Sequence, residues 1–252
     1  MITYRAWKVF YRNLMVFKKT WLANIMFNFV EPLLYLVAMG YGLGYYLPPI
    51  QGVDYLQFLA PGLVASTAMW AASAECTYDS FTRMRYQKIY HAILSTPISL
   101  EEVVVGEMLF GTFKAVLYGS VILLVTALVG LTPSPSALLV PLVLILCGLI
   151  FAQWGLIWTA LVKKMDLFSY FFTLIITPMS FVGGVFFPLE GFPWVVRLLA
   201  QFTPLYHGVE LIRSLVLGQL KPSLWVNLAC LGVFALVGFY PPIYLLRRRL
   251  SP

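Results

Sequence analysis

Charge is what this sequence has least of. Only 11% of its 252 residues are Asp, Glu, Lys or Arg, against about 25% in an ordinary soluble domain. A water-soluble globule needs a polar shell, and these residues are too few to make one. Histidine is scarcer still. His91 and His207 are the two, and they form neither H-x-x-x-H nor HExxH, so a zinc site has no support. There is no G-x-S-x-G and no G-x-x-x-x-G-K-[ST], so the chain cannot bind ATP through a P-loop. The run Gly40, Gly42, Gly44 lies in an apolar helical stretch and only superficially resembles a phosphate loop. Three cysteines, Cys76, Cys147 and Cys230, stand far apart without a C-x-x-C and read as small buried hydrophobes. No gap between apolar runs is long enough for a separate nucleotide-binding or catalytic domain. No short apolar core with a small-residue cleavage site follows the basic first 23 residues, so the N-terminus does not read as a cleavable signal. Internal repeats and low-complexity tracts are absent from the sequence as well.

What is present is apolar and aromatic. Hydrophobic residues make up 61% of the chain, with 19 Phe, 15 Tyr and 7 Trp, and the mean hydropathy is +0.85. That richness excludes disorder. The expected class is an all-α integral membrane protein, a single domain over 1–252 with six transmembrane helices. Each crossing needs about 20 residues. The spans are expected at about Asn24–Tyr46, Tyr55–Glu75, Val103–Leu131, Ala137–Val162, Leu167–Phe187 and Leu224–Leu246.

The formal charge of +7 then reads as orientation in a membrane, not as a nucleic-acid footprint. Arg5, Lys8, Arg12, Lys18 and Lys19 precede the first span. Arg83, Arg85 and Lys88 follow the second, Lys163 and Lys164 the fourth, and Arg247, Arg248 and Arg249 the sixth. Arg197, Arg213 and Lys221 fall on the other side, and Lys114 sits within the third span. Basic loops stay cytoplasmic, which puts both termini inside. An even number of spans requires the same.

Three connections carry structure of their own. The N-terminal segment, 1–23, is expected to form an amphipathic interfacial helix. Trp7, Phe10, Leu14, Phe17 and Trp21 recur at helical steps, with Arg5, Lys8, Arg12 and Lys19 opposite. The alternative is an ordinary helix packed on a partner. The cytoplasmic loop predicts a helix over 79–94, broken at Pro97, with Ser99 and Glu102 as a capping box for the third span. The outer segment 188–220 predicts two short helices opened by Pro193 and Pro204, with Thr203 as an N-cap. At about 9 and 14 residues they are too short to cross and read as re-entrant or interfacial.

A few polar residues stand out against the apolar spans. Glu31 lies about 10 Å into the first span at 1.5 Å per residue, followed by Pro32, which favours a kink. It reads either as a substrate-path or gating residue, or as a buried carboxylate with Asn24 and Asn28 as same-side neighbours. Glu107 and Lys114 are two turns apart on the third helix and cannot pair along it. Gly111, Ala115 and Gly119 beside them form a small-x-x-x-small packing row. His207, Glu210 and Arg213 stand at three-residue steps in the second outer helix, a polar facet with or without a transport role. Tyr35, Tyr41, Tyr45 and Trp70 are aromatic candidates to line a path, or ordinary span packing.

Seven segments in order resemble one known family: "EPLLYLVAMGYGLG" (31–44), "FLAPGL" (58–63), "FTRMRYQKIYHAILSTPIS" (81–99), "VVVGEM" (103–108), "FVGGVFFPLEGFP" (181–193), "TPLYHGVELIRSLVLG" (203–218) and "LLRRRL" (245–250). Together they resemble the type-2 ABC transporter permeases, and within them the NodJ-like lipo-oligosaccharide export subgroup. The resemblance implies a six-span permease without its own catalytic site, hence not itself an enzyme. It implies a homodimer, paired with two copies of a separate P-loop ATPase that carries ATP and magnesium, in the bacterial cytoplasmic membrane. It also implies that 79–94 is the coupling helix docking on the ATPase, with Arg83, Arg85, Tyr86 and Lys88 as contacts. The helices of 188–220 would cap the exit, and substrate would move between the two permease copies, near the first, second and fifth spans. Family members move polysaccharides, lipids or hydrophobic drugs, so the resemblance leaves the cargo open. Two other classes compete. A stand-alone ion-coupled carrier would use Glu31, Glu107 and Lys114 as a relay, but such carriers often show repeated halves. A membrane-embedded enzyme would need a nucleophile constellation that is not there.

Overall fold

The structure, a computed structural model, describes residues 3–219 and 222–250, apart from the side chains of 23–28. The side chains of Asn24 and Asn28, and Lys221 altogether, therefore lie outside what is described. Among those residues the chain is helical and has no β-strand; one isolated bridge joins Ile50 and Val53 around a tight turn. The α-helices are α1 (Arg5–Tyr35), α2 (Tyr55–Ala74), α3 (Ile89–Leu94), α4 (Leu100–Leu128) and α5 (Val140–Leu161). They continue as α6 (Phe168–Phe171), α7 (Thr177–Val182), α8 (Trp194–Gln201), α9 (Pro204–Leu217) and α10 (Ser223–Leu250). Leu100–Leu128, Pro135–Leu161, Met165–Val182 and Ser223–Leu250 are long and apolar enough to cross a membrane. The protein is thus an all-α integral membrane protein.

The first two expected spans are not among those four, and for the second the reason is compositional. Helix α2 is built of Ala, Ser, Gly and Thr as much as of large apolar residues, and sixteen of its 20 residues are buried. It is the axis of the bundle, packed on α4, α5 and α9. A helix sheathed by protein needs close-packing surfaces more than a lipid-compatible one. Gly62 brings it against the backbone of Val185, where a Cβ would lie 2.7 Å from the carbonyl oxygen. The expected small-residue row does the same between helices. Gly111 faces Cys76 and Ala152, Ala115 faces Gly148, and Gly119 faces Leu144. Cys76 and Cys147 are buried there as free thiols, while Cys230 is half-buried.

The N-terminal region differs from expectation. A separate interfacial helix followed by a first span is expected. The structure has one continuous helix α1, extended by a π-helical stretch, Leu36–Leu43. No capping residue divides it, and Pro32 sits inside it. Its buried face is also turned relative to the expected stripe. Phe10 and Phe17 pack edge-on against Phe110 and Phe113 of α4, but Trp7 and Trp21 are exposed. Ala6, Val9 and Asn13 take their place in the contact. The cause is Gly106, where an added Cβ would lie 2.5 Å from Val9 Cβ and 2.9 Å from the carbonyl oxygen of Ala6. Gly106→Leu should accordingly force the helices apart and cost about 1–3 kcal/mol. Thermal unfolding in detergent would read this as a lower melting temperature, partly restored by adding Val9→Ala.

The fold gathers the basic segments at one end. Thr3 donates to the Glu102 carboxylate and Arg5 to the carbonyl of Pro97. Arg247 pairs with Glu101 at 3.5 Å. Arg249 donates to the carbonyls of Thr159, Ala160 and Val162, satisfying the open C-terminus of α5. The start of α1, the 76–102 loop, the end of α5 and the end of α10 therefore share this basic end. The Ser99–Glu102 capping box forms as expected, with Ser99 N–H donating to Glu102 at 2.7 Å.

Candidate functional site

The 79–94 segment is not one helix. Helix α2 runs on through π-helical turns, Glu75–Asp79 and Thr82–Tyr86, and breaks at Gln87 and Lys88. Lys88 has a left-handed φ of 53°, and the short α3 follows. Arg85, Tyr86, Gln87 and Lys88 form an exposed knob at this break. Both flanks are anchored. Phe81 and Met84 are buried before it, and Tyr90 after it, with Tyr90 Oη bonded to Ser80 Oγ at 2.6 Å. The sequence could not reveal the break, because neither Gly nor Pro marks it.

Arg83 parts company with its expected neighbours. It turns inward, where Nη2 meets Glu75 at 2.5 Å and Glu107 at 2.5 Å. Lys114 in turn pairs with Glu75 and, at 3.3 Å, with Asp79. Asn13 of α1 donates to Glu107 at 3.0 Å. Glu107 and Lys114, which cannot reach each other along α4, are thus joined through Arg83 and Glu75 of the α2 extension. Burial works against the Arg83 charge, but Glu107 and Glu75 outweigh it and hold its guanidinium well above the ordinary range. Desolvation along this helix face, with Glu75 beside it, pushes the Asp79 carboxyl up to about 6, although its side chain stays 53% exposed. Glu75, Asp79 and Asn13 were missed from sequence. The signal was there: 75, 79 and 83 are one helical face, directly beneath the apolar run of α2.

The substrate-path candidates separate into three places. Glu31, Tyr35 and Trp70 come together as walls of one cavity of about 330 Å³, between α1, α2 and the 177–186 segment. Leu63, Ser66, Thr67, Thr177, Ser180, Phe181 and Phe186 complete most of its lining. The Tyr35 ring lies 5.6 Å from Phe186, and Trp70 stacks on Phe172 at 5.2 Å. Tyr41, in the π-helical extension, is exposed and away from this cavity. The π-helical stretches flank it on α1 and on the 172–176 turn; such distortions often accompany functional sites.

His207, Glu210 and Arg213 occupy α9 at the end opposite the basic one; His207 and Arg213 are buried, while Glu210 is partly exposed and lines, with Arg213, a small cavity of about 60 Å³ beside Gln51 and Glu190. Arg213 is buried. It pairs with Glu210 at 3.0 Å, donates to the carbonyl of Gly184 at 2.7 Å and lies 3.8 Å over the Phe58 ring. His207 is buried too, Nε2–H donating to Gln201 at 2.8 Å and Nδ1 meeting the Asn227 side chain at 2.8 Å. Thr203 occupies the N-cap position of α9 but does not cap it; its hydroxyl donates to Ala200 at 2.6 Å. Arg213 thus ties α9 to α2 and to the turn after α7. Arg213→Ala should leave the carbonyls of Phe58 and Gly184, and Glu210, without their donor and lower stability by about 2–4 kcal/mol, read by thermal unfolding. Arg213→Lys should rescue only part, because an ammonium cannot reproduce the planar fork over Phe58.

Comparison with known proteins agrees with this arrangement. Residues 4–217 match the family described as ABC-2 type transporter. The chain is 39% identical over 242 residues to Nodulation protein J of Rhizobium leguminosarum bv. viciae, covering 96% of this chain and 93% of that one. Nodulation protein J of Rhizobium meliloti (strain 1021) is 38% identical over 244 residues, with 97% and 93% covered. Inner membrane transport permease YadH of Escherichia coli (strain K12) is 25% identical over 224 residues, with 89% and 87% covered. The match spans most of the chain, and the sequence carries no P-loop of its own. The chain belongs to the ABC-2 type transporter family, as a multi-pass membrane permease subunit and not an ATPase.

Proposed function

We propose that this chain is the permease of an ATP-driven exporter moving a glycolipid, lipo-oligosaccharide or polysaccharide-type substrate out across the bacterial cytoplasmic membrane. It crosses six times as a single transmembrane domain with both termini cytoplasmic. It works as a homodimer with two copies of a P-loop ATPase, which carry ATP and magnesium. The observation that carries this reading is the exposed knob at 85–88 on its braced base. A push on Arg85, Tyr86 and Lys88 reaches Arg83 within one helical turn. From Arg83 it passes to α4 through Glu107 and to α1 through Asn13. Helix α1 leads on to Glu31 and Tyr35 in the cavity, which lies on the cargo's path between α1, α2 and the fifth span. Positive-inside charge places the basic end at the cytoplasm, and α8 and α9 then cap the exit as interfacial or re-entrant helices. The force is mechanical, so no residue here is catalytic.

Export of a hydrophobic drug or another lipid would use the same machinery, and the largely apolar, aromatic cavity favours that as the second reading. Inverted membrane vesicles holding the chain and its ATPase should accumulate labelled lipo-oligosaccharide only with ATP. Accumulation of drug-like compounds alone would replace the first reading with the second. Uptake driven by a proton gradient without ATP would reject both.

A further inference from the structure

We propose that the cavity at Glu31 recognises an apolar organic cation, with the carboxylate seating the charged centre and the aromatic walls holding its body. This rests on the second reading of the cargo, a hydrophobic drug-like compound passing this cavity, and it adds the charge that such a compound would carry.

Three observations carry it. Among the described residues, Glu31 is the one formally charged side chain lining the cavity, and no basic residue lines it. Among the described residues, Glu31 therefore has no cationic partner within this space. The Glu31 side chain is exposed on the single chain; on the proposed reading of 24–46 as a span, a carboxylate there is costly unless matched, and a ligand cation would supply the match. The second observation is the wall. Tyr35, Phe186 and Phe181 form a chain of rings with centroids 5.6 Å apart at each step, and Trp70 borders the same space, backed on one side by Phe172. Ring faces attract cations within about 6 Å, Trp most strongly. The third is the direction of the hydroxyls. Ser66 donates to the carbonyl of Leu63 at 3.1 Å, and Ser180 to that of Ile176 at 3.1 Å. Their protons are committed to their own helices, so toward the cavity they offer lone pairs. The lining thus sets one anion, the lone pairs of Ser66, Thr67 and Ser180 and several aromatic rings beside the donors of Tyr35, Trp70 and Thr177, and its one formal charge is negative. The volume, about 330 Å³, falls within the range of drug-sized sites.

The test uses the intact complex with its ATPase in detergent and a pair of probes alike in shape and opposite in charge, tetraphenylphosphonium and tetraphenylborate. Equilibrium dialysis should show the phosphonium bound at least about tenfold more tightly than the borate. Glu31→Gln should weaken phosphonium binding about tenfold and leave borate binding unchanged, while Glu31→Asp keeps most of it. Equal binding of the two probes by the unaltered complex, a comparison that needs no variant, would overturn the inference. So would unchanged phosphonium binding by Glu31→Gln. ATP-driven uptake of glycolipid in vesicles reads the export function separately. Uptake that persists while the phosphonium fails to bind would overturn this inference alone. Phosphonium bound at Glu31 without ATP-driven movement of any cargo would uphold the site and reject the export reading.

Discussion

Arg83→Ala should cost about 3–5 kcal/mol of stability, because it removes the cation shared by two buried carboxylates. Glu75 and Glu107 are both nearly inaccessible to solvent. Lys114 remains as partner to Glu75, but among the described residues Glu107 keeps the hydrogen bond of the Asn13 amide, with the Arg12 guanidinium acting on it through space. A neutral donor at 3.0 Å does not balance a buried charge. Thermal unfolding of the purified protein should register a fall on the order of 10 °C. The companion variant sharpens the mechanism. Arg83→Met combined with Glu107→Met removes both charges and fills the space, so it should be markedly more stable than Arg83→Ala. If the single and the paired variants melt alike, uncompensated charge is not what the network prevents.

The second large effect is on transport. Arg85→Glu together with Lys88→Glu should leave the melting temperature within a degree or two, since both side chains are exposed at the knob. Export by the complex should nevertheless fall at least about tenfold, because reversing two charges opposes the proposed contact with the ATPase. ATP hydrolysis that continues without export would show uncoupling, and loss of the ATPase from the complex would show failed docking; either places the contact at 85–88. Unchanged export would remove the knob from the coupling pathway. Arg83 has to be kept out of this test. Its replacement would lower export through lost structure and would be read wrongly as a surface effect.

The contrast between Arg83 and Arg85 shows where the sequence was legible. Membrane class, the helical elements and the grouping of basic segments follow from apolar runs and charge position, and they are seen in the bonds of Arg5, Arg247 and Arg249 at one end. The Ser99–Glu102 capping box is local chemistry and was readable for that reason. The inward turn of Arg83 was not readable. It depends on Glu107, 24 residues away, and on the crossing of α2 with α4 that Gly111 permits. The break at Lys88 hides for a different cause, a left-handed residue with no glycine to announce it.

The candidate site divides along the same line. Glu31, Tyr35 and Trp70 were singled out from separate helices, and packing brings them to one cavity. Tyr41 is six residues beyond Tyr35, and the π-helical stretch that begins at Leu36 changes the helix repeat there, so a 3.6-residue reading cannot place its ring. His207 and Arg213 looked like a facet because their spacing is helical. Spacing gives a shared face but not what covers it, and here α2, α10 and the turn after α7 cover it.

Gentle isolation of the chain from its native membrane, with mass spectrometry of what accompanies it, tests the central claim most directly. The account predicts a P-loop ATPase in roughly equal amount, two copies to two copies of this chain. A chain that comes out alone and still moves solute on a proton gradient would contradict it.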